Sequence, residues 1–299
     1  MDMKSFIYSA PLKGLRNQRM SQSKNKILVI GLGEIGYNNA RYMTEFGLDV
    51  DGYDINAIAT TKAFNDKVIK NIADNFSDYD YYVICVSTHN PRDQSIPSLN
   101  ALNQVIDKLK HEAKIGALVG VDSTIPTGTT EMITEILHHR VHVVHVPHRY
   151  YNKEKDIHGV NQLRVIGGCK ICCINLGKYF YEEILRIPLH TVSSSQIAEL
   201  CKVTESAYRY IQIAFAEELK IVCDKAGLDF NELRNAINTK WNVQILEARD
   251  GINQHCIPKD GIMFKEFCLK YTKPQIITAA QFIDQMYRRH ISPEIERRV

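Results

Sequence analysis

The hexapeptide Gly31-Leu32-Gly33-Glu34-Ile35-Gly36 follows an apolar run at residues 27–30 and opens an amphipathic stretch at 34–46. Three glycines at this spacing, between a strand and a helix, leave few alternatives to a dinucleotide-binding turn. Gly31 permits the tight turn, Gly33 lets the backbone approach a pyrophosphate, and Gly36 lets the helix lie close to the strand. The N–H groups at Glu34 and Ile35 then open a helix whose positive end faces the anion. Asp54 ends the next expected strand, 48–53, where a carboxylate accepts a hydrogen bond from a ribose 2′-hydroxyl and repels a 2′-phosphate. NAD is therefore expected rather than NADP.

Beyond this turn, short β-branched runs alternate with helical stretches. Strands are expected at 81–86, 116–121 and 141–146, with helices at 99–110 and 129–138 between them. Runs such as VICV and ALVGV are apolar throughout instead of alternating, which marks strands buried on both faces. The expectation is an α/β domain over residues 25–193, a doubly wound Rossmann-type parallel sheet completed by a strand at 163–167, a helix at 170–184 and a strand at 189–192. Residues 196–226 then contain neither Pro nor Gly and place Ile197, Leu200, Tyr208, Ile211, Phe215, Leu219 and Val222 at helical spacing. Ser193 to Ser195 supply a cap for this long helix and Gly227 a stop. Shorter helices at 231–238, 260–269 and 274–288 make residues 194–299 a helical second domain. Residues 1–24 carry five basic side chains against Asp2 and no apolar core, so they read as a flexible tail and not a secretory signal.

Composition narrows the class. Over 299 residues, 44% are hydrophobic and 24% charged, and 37 Lys+Arg against 34 Asp+Glu leave a formal charge of +3. No basic patch points to nucleic acid, and no apolar stretch is long enough to span a bilayer, so a small molecule is the expected partner. Eight cysteines are too few for a disulfide scaffold and point to reduced thiols in a cytoplasmic protein. Cys169 and Cys172 form a lone CxxC beside Cys173, which reads as packing on a helix. His142 and His145 would point to opposite faces of a strand, so no metal site is expected.

Cys256 is the exception among the thiols. It stands in His255-Cys256-Ile257-Pro258-Lys259-Asp260, just before an expected helix start, beside a lysine. That setting favours thiolate, hence a depressed thiol pKa. At this point the chain resembles the UDP-glucose/GDP-mannose dehydrogenase family, over about residues 26–288. The resemblance is carried by GLGEIG, by Ser123-Thr124-Ile125-Pro126-Thr127-Gly128-Thr129-Thr130, by Arg164-Val165-Ile166-Gly167-Gly168, by Ala198-Glu199-Leu200-Cys201-Lys202 and by Cys256-Ile257-Pro258-Lys259-Asp260. Tyr208-Arg209 and Ala214-Phe215-Ala216-Glu217-Glu218-Leu219 look closest to the branch acting on N-acetylated sugars.

The resemblance implies NAD-dependent oxidation of a nucleotide-sugar 6-hydroxymethyl group to a carboxylate, through a thiohemiacetal and a thioester on Cys256. It implies oxyanion stabilisation by Lys202, proton or water handling by Asp260, and Thr88, Thr124 and Lys259 lining the cofactor or water site. It also implies a homodimer packed through the central helices. Four departures accompany it. The family's Pro-Glu reads Pro147-His148, and a second glutamate is Asn152. The asparagine after the catalytic lysine is Ser206, and the glycine-rich run before the cysteine has become Arg249-Asp250-Gly251-Ile252-Asn253-Gln254. His148 remains a candidate base. Relatives also continue past the position of Val299 into a third domain that holds the nucleotide. Two alternative readings stand beside this one: a single-step β-hydroxyacid dehydrogenase, which needs no cysteine, and an NAD-binding protein without activity.

Overall fold

A computed structural model describes residues 25–155, 157–252 and 256–296. The expected tail at 1–24 and the loop residues Asn253, Gln254 and His255 lie outside them. The first half runs β1 (Lys26–Ile30), α1 (Glu34–Glu45), β2 (Asp49–Tyr53), α2 (Ala57–Asn65), β3 (Tyr81–Ile84), β4 (His89–Asn90), β5 (Asp93–Pro97), α3 (Asn100–Glu112), β6 (Leu118–Val121), α4 (Thr129–Ile136) and β7 (His142–His145). β8 (Arg164–Gly168), α5 (Ile171–Lys178), a π-helical turn (Tyr179–Ile184) and β9 (Leu189–Thr191) follow.

Seven strands form one sheet in the order β2-β1-β3-β6-β7-β8-β9. Alternate residues of its strands feed two cores. Ile27, Val29 and Val83 pack with α1 and α5 on one face, and Leu28, Ile30 and Ile84 with α3 and α4 on the other. Burial on both faces explains why these strands read as continuous apolar runs.

The sheet is not wholly parallel. β8 pairs antiparallel with β7, Val144 opposite Gly168, and β9 runs parallel to β8. Among the described residues between β7 and β8 the one helical element is a 3₁₀ turn, Asn152–Glu154. A parallel neighbour needs a crossover, usually a helix, to carry the chain back along the sheet, and none is present. Sequence reading also omits α2, although Asn56 accepts a hydrogen bond from the Ile58 N–H as its cap, and the two-stranded ribbon β4–β5.

Where α1, β6 and β8 meet, a buried polar knot replaces apolar packing. Arg164 donates to Asp122 at 2.6 Å, the Tyr181 hydroxyl to Asp122 at 2.6 Å, and Asn39 of α1 to Asp122 at 2.8 Å. A second Arg164 nitrogen reaches the Val160 carbonyl at 2.9 Å. Asp122 and Arg164 are almost wholly buried. Burial pushes the Asp122 carboxyl up, against the pull of the guanidinium and the Tyr181 and Asn39 donors.

The second half is helical: α6 (Ser195–Ala226), α7 (Phe230–Ile237), α8 (Cys256–Leu269) and α9 (Gln275–Glu296). Ser194 caps α6 by accepting from the Ile197 N–H, and Gly227 stops it in the left-handed conformation at φ 69°. α6 lies on β8 at its start and receives α8 and α9 along its length. Its Glu199, fully buried, accepts from the Gly128 N–H, the Thr130 N–H and the Thr130 hydroxyl, each at 2.6 Å. A carboxylate of α6 thus satisfies orphan donors at the start of α4, where the helix dipole favours negative charge. α8 starts at Cys256, one turn earlier than expected, because Pro258 falls within the first turn, where a missing N–H costs nothing.

Arg164→Met is expected to cost about 3–5 kcal/mol, read as a lower denaturant midpoint, because it strands the Asp122 charge in the core. Adding Asp122→Asn should recover part of that loss.

Candidate functional site

Parallel strands that end on the same edge of a doubly wound sheet leave a crevice beyond their carboxyl ends. β1, β3, β6 and β7 do so here, and the loops after them carry Gly31 to Gly33, Cys85 to Thr88, Asp122 to Thr124 and His148. Gly31 adopts φ +91°, and a Cβ there would lie 2.7 Å from the Cys85 carbonyl oxygen. A Cβ on Gly36 would fall 1.7 Å from the Gly31 oxygen, so no side chain fits where α1 meets the turn. Gly33 is the opposite case: a Cβ there meets nothing within 4 Å, leaving the start of α1 open to a ligand. Glu34 is exposed beside it and Ile35 half-buried.

Asp54 accepts from the Leu32 N–H at 2.6 Å and the Asn56 N–H at 2.8 Å, one on each oxygen. Each oxygen keeps a second lone pair, so the carboxylate shapes the turn and still has capacity for a ribose hydroxyl. Asp54 lines a cavity of about 230 Å³ with Gly31, Gly33, Val86, Ala101 and Val105. An open helix start, a fixed carboxylate and an apolar slot beside them fit the pyrophosphate, ribose and base of a dinucleotide.

The second half delivers its residues to the same crevice. Ser206 of α6 donates to Asp260 of α8 at 2.7 Å, and Lys259 donates to the other Asp260 oxygen at 2.6 Å. Lys259 also reaches the Thr88 hydroxyl at 3.3 Å, which donates to the Thr124 carbonyl at 2.7 Å. Five of the residues singled out from sequence thus form one hydrogen-bonded chain across the two halves. Lys259 and Asp260 are almost wholly buried. Paired with each other, the two charges avoid the penalty of an isolated buried ion.

Lys202 differs. Half-buried on α6, it has no hydrogen-bond or ion-pair partner among the described residues. Its charge nevertheless acts on Cys256, His145 and His148. His145 is fully buried with Nδ1 on the Val121 carbonyl, and burial pushes it down to about 3. His148, whose buried Nδ1 has no partner among the described residues, is held well below the usual histidine range by burial and by the cations Lys202, Arg164 and Lys259. Both imidazoles are therefore neutral near pH 7. Asn152 is exposed in the loop before β8.

Cys256 stands at the head of α8, partly open to solvent as a residue while its thiol faces the crevice charges. Its surroundings correct the expected depression of its pKa. Desolvation within the crevice and the negative charge of Asp260 push the thiol up, and Lys259 and Lys202 only partly oppose them. Glu34, at the glycine turn, adds a further negative field. The sulfur of the second half therefore feels charges from the dinucleotide turn of the first. A larger cleft, about 1020 Å³, opens on the other side of α8 between Ser95, Pro258, Lys265 and Arg288; neither Cys256 nor Lys202 lines it.

The thiolate fraction rises only as pH climbs past the raised pKa. Alkylation of Cys256, followed by peptide mass spectrometry, should accelerate beyond the pH at which an ordinary exposed thiol has levelled off. Lys202→Ala should slow it at neutral pH and Asp260→Asn should hasten it; equal effects of the two would show that these charges do not govern the sulfur.

Residues 60–185 match the NAD binding domain of the UDP-glucose/GDP-mannose dehydrogenase family, and residues 196–285 match its central domain. UDP-N-acetyl-D-mannosamine dehydrogenase of Methanococcus maripaludis is 29% identical over 257 residues, covering 79% of this chain and 60% of the relative. NDP-N-acetyl-D-galactosaminuronic acid dehydrogenase of Ralstonia solanacearum is 29% identical, covering 78% and 63%. The structure of UDP-D-ManNAc dehydrogenase from Pyrococcus horikoshii superposes with a TM-score of 0.77 at 25% identity, covering 88% of this chain and 68% of that one. The chain spans about 60% of the length of the curated relatives it matches. With both domain models matched in order on a sheet and long helix of the same fold, the chain belongs to the UDP-glucose/GDP-mannose dehydrogenase family.

Proposed function

We propose that this chain oxidises the 6-hydroxymethyl group of a nucleotide-activated N-acetylated sugar to a carboxylate, with NAD as hydride acceptor. The observation that carries this reading is the placement of the Cys256 thiol among Lys202, Lys259, Asp260 and Glu34, the last at the start of the dinucleotide helix. The names of the relatives point to the same substrate class.

NAD would rest on Gly31, Gly33, Glu34, Ile35, Gly36, Asp54 and Thr88, and would supply a hydride acceptor for each of two oxidations, the first NADH being exchanged for a second NAD between them. In the first oxidation the alcohol loses a proton and a hydride to become an aldehyde. His148, whose ring is neutral, is the candidate acceptor for that proton. The Cys256 thiolate then adds to the carbonyl carbon, and the resulting oxyanion is stabilised by the ammonium of Lys202. Loss of a second hydride converts this thiohemiacetal into a thioester. Water attacks its carbonyl carbon, the C–S bond breaks, and the carboxylate leaves with Cys256 restored as thiolate. Asp260 is a positioning residue in this scheme: Ser206 and Lys259 occupy its two oxygens and fix the first turn of α8, and with it the sulfur. Lys259 and Thr88 extend the same bracing to Thr124.

We also propose that the chain acts as a homodimer. Tyr208, Phe215 and Val222 recur every seventh residue along α6 and are exposed, as are Phe282 and Met286 on α9. An apolar stripe of this length on paired helices is the kind of surface a second copy covers. Phe215→Glu is expected to halve the mass seen by light scattering; an unchanged mass would discard this face.

For the reaction, two NADH should form per UDP-N-acetylhexosamine consumed, and Cys256→Ser should lower acid formation by roughly a thousand-fold or more while NAD still binds. Undiminished turnover by Cys256→Ser would favour the single-step β-hydroxyacid type of dehydrogenase. NAD binding without reduction on a panel of UDP and GDP sugars would leave a non-catalytic dinucleotide-binding protein.

A further inference from the structure

Far from the crevice, at the opposite edge of the sheet, three metal-ligating side chains meet that lie well apart in sequence. His142 begins β7, while Cys172 and Cys173 occupy the first turn of α5. Their convergence follows from the antiparallel return of β8. Because β8 runs back along β7, with Gly168 opposite Val144, the helix that follows β8 starts over the beginning of β7. Ligand atoms of His142, Cys172 and Cys173 all lie within 4.8 Å of one another. The Cys173 Sγ to His142 Nδ1 distance is 3.6 Å.

We propose that His142, Cys172 and Cys173 bind a thiophilic divalent cation, Zn²⁺ in the first instance, through one imidazole nitrogen and two thiolates. A tetrahedral zinc with Zn–S of about 2.3 Å and Zn–N of about 2.1 Å places S and N of its ligands about 3.6 Å apart, so this pair already has its coordinated spacing. The burial gradient orients the site. Cys173 is buried in the apolar core, His142 is half-buried, and Cys172 is exposed, which leaves the fourth coordination position facing water. Two thiolates and one imidazole are a donor set for zinc and its soft congeners, not for magnesium or calcium. Thiolates here gain support from the start of α5, whose N-terminal field favours negative charge. Neither the cysteine pair nor the histidine signals this in sequence: CxxC spacing draws attention to Cys169, whose sulfur instead approaches Thr134 and Ser195.

The test is titration of the full, reduced chain with Co²⁺ and Zn²⁺. One cobalt per chain should bind with sulfur-to-cobalt charge-transfer absorption and be displaced by zinc. Cys172→Ser, at an exposed position, and His142→Ala should each weaken binding by roughly a hundred-fold or more. Cys268→Ser should leave it unchanged. No charge-transfer band, or a band that survives Cys172→Ser and disappears in Cys256→Ser, would overturn the proposal. Binding of NAD should be the same in Cys172→Ser as in the unmodified chain, which separates failure here from failure of the dehydrogenase reading.

Discussion

The pairing of Arg164 with Asp122 is the constraint on which the rest of the crevice hangs. Asp122 ends the central strand β6, Arg164 begins the reversed strand β8, and Asn39 and Tyr181 bind the same carboxylate from α1 and from the turn after α5. Four elements are therefore held at one buried carboxylate. Such a knot is not an efficient source of stability, since both charges give up water. Its effect is geometric. The helix that opens at the glycine turn cannot rotate relative to β6 without stranding a charge, and the His148 backbone N–H hangs from the Asp122 carbonyl.

A second tie decides how the helical half meets the sheet. Glu199 seats the start of α6 on the start of α4, and Lys202 follows within one helical turn. The carboxylate is consumed by the Gly128 and Thr130 donors, whereas the ammonium has no partner among the described residues and acts on two neutral imidazoles and the Cys256 thiol. On the other side of the crevice Lys259 is neutralised by Asp260. Two lysines of similar chemistry thus stand in different surroundings: one is tied into a buried ion pair, the other is not.

Cys256 shows why residue type and neighbourhood in sequence mislead about acidity. A helix start and an adjacent lysine argue for a depressed pKa, but Lys259 turns toward Asp260 and Thr88, and the carboxylate it neutralises sits close enough to the sulfur to raise it. The adjacent glutamates of α6 make the same point. Glu218 is exposed, while Glu217, one residue earlier, is fully buried with neither oxygen hydrogen-bonded to a described residue, and burial beside Asp284 pushes its carboxyl up to about 8. A helix turns about 100° per residue, so neighbours in sequence face different media.

What the sequence determined by itself is the local grammar. Glycine spacing, continuous apolar strands, the capped helix without breakers and the Cys-Ile-Pro-Lys-Asp motif specify a dinucleotide fold with a helical partner, because each depends on contacts within a few residues. Only the tertiary structure decided the direction of β8, the Asp122 knot, the linkage of Ser206, Asp260, Lys259 and Thr88, the raised Cys256 thiol and the meeting of His142 with Cys172 and Cys173. Each of these depends on which distant side chain desolvates or charges a group, and that is set by the path of the chain between them and not by the residues themselves.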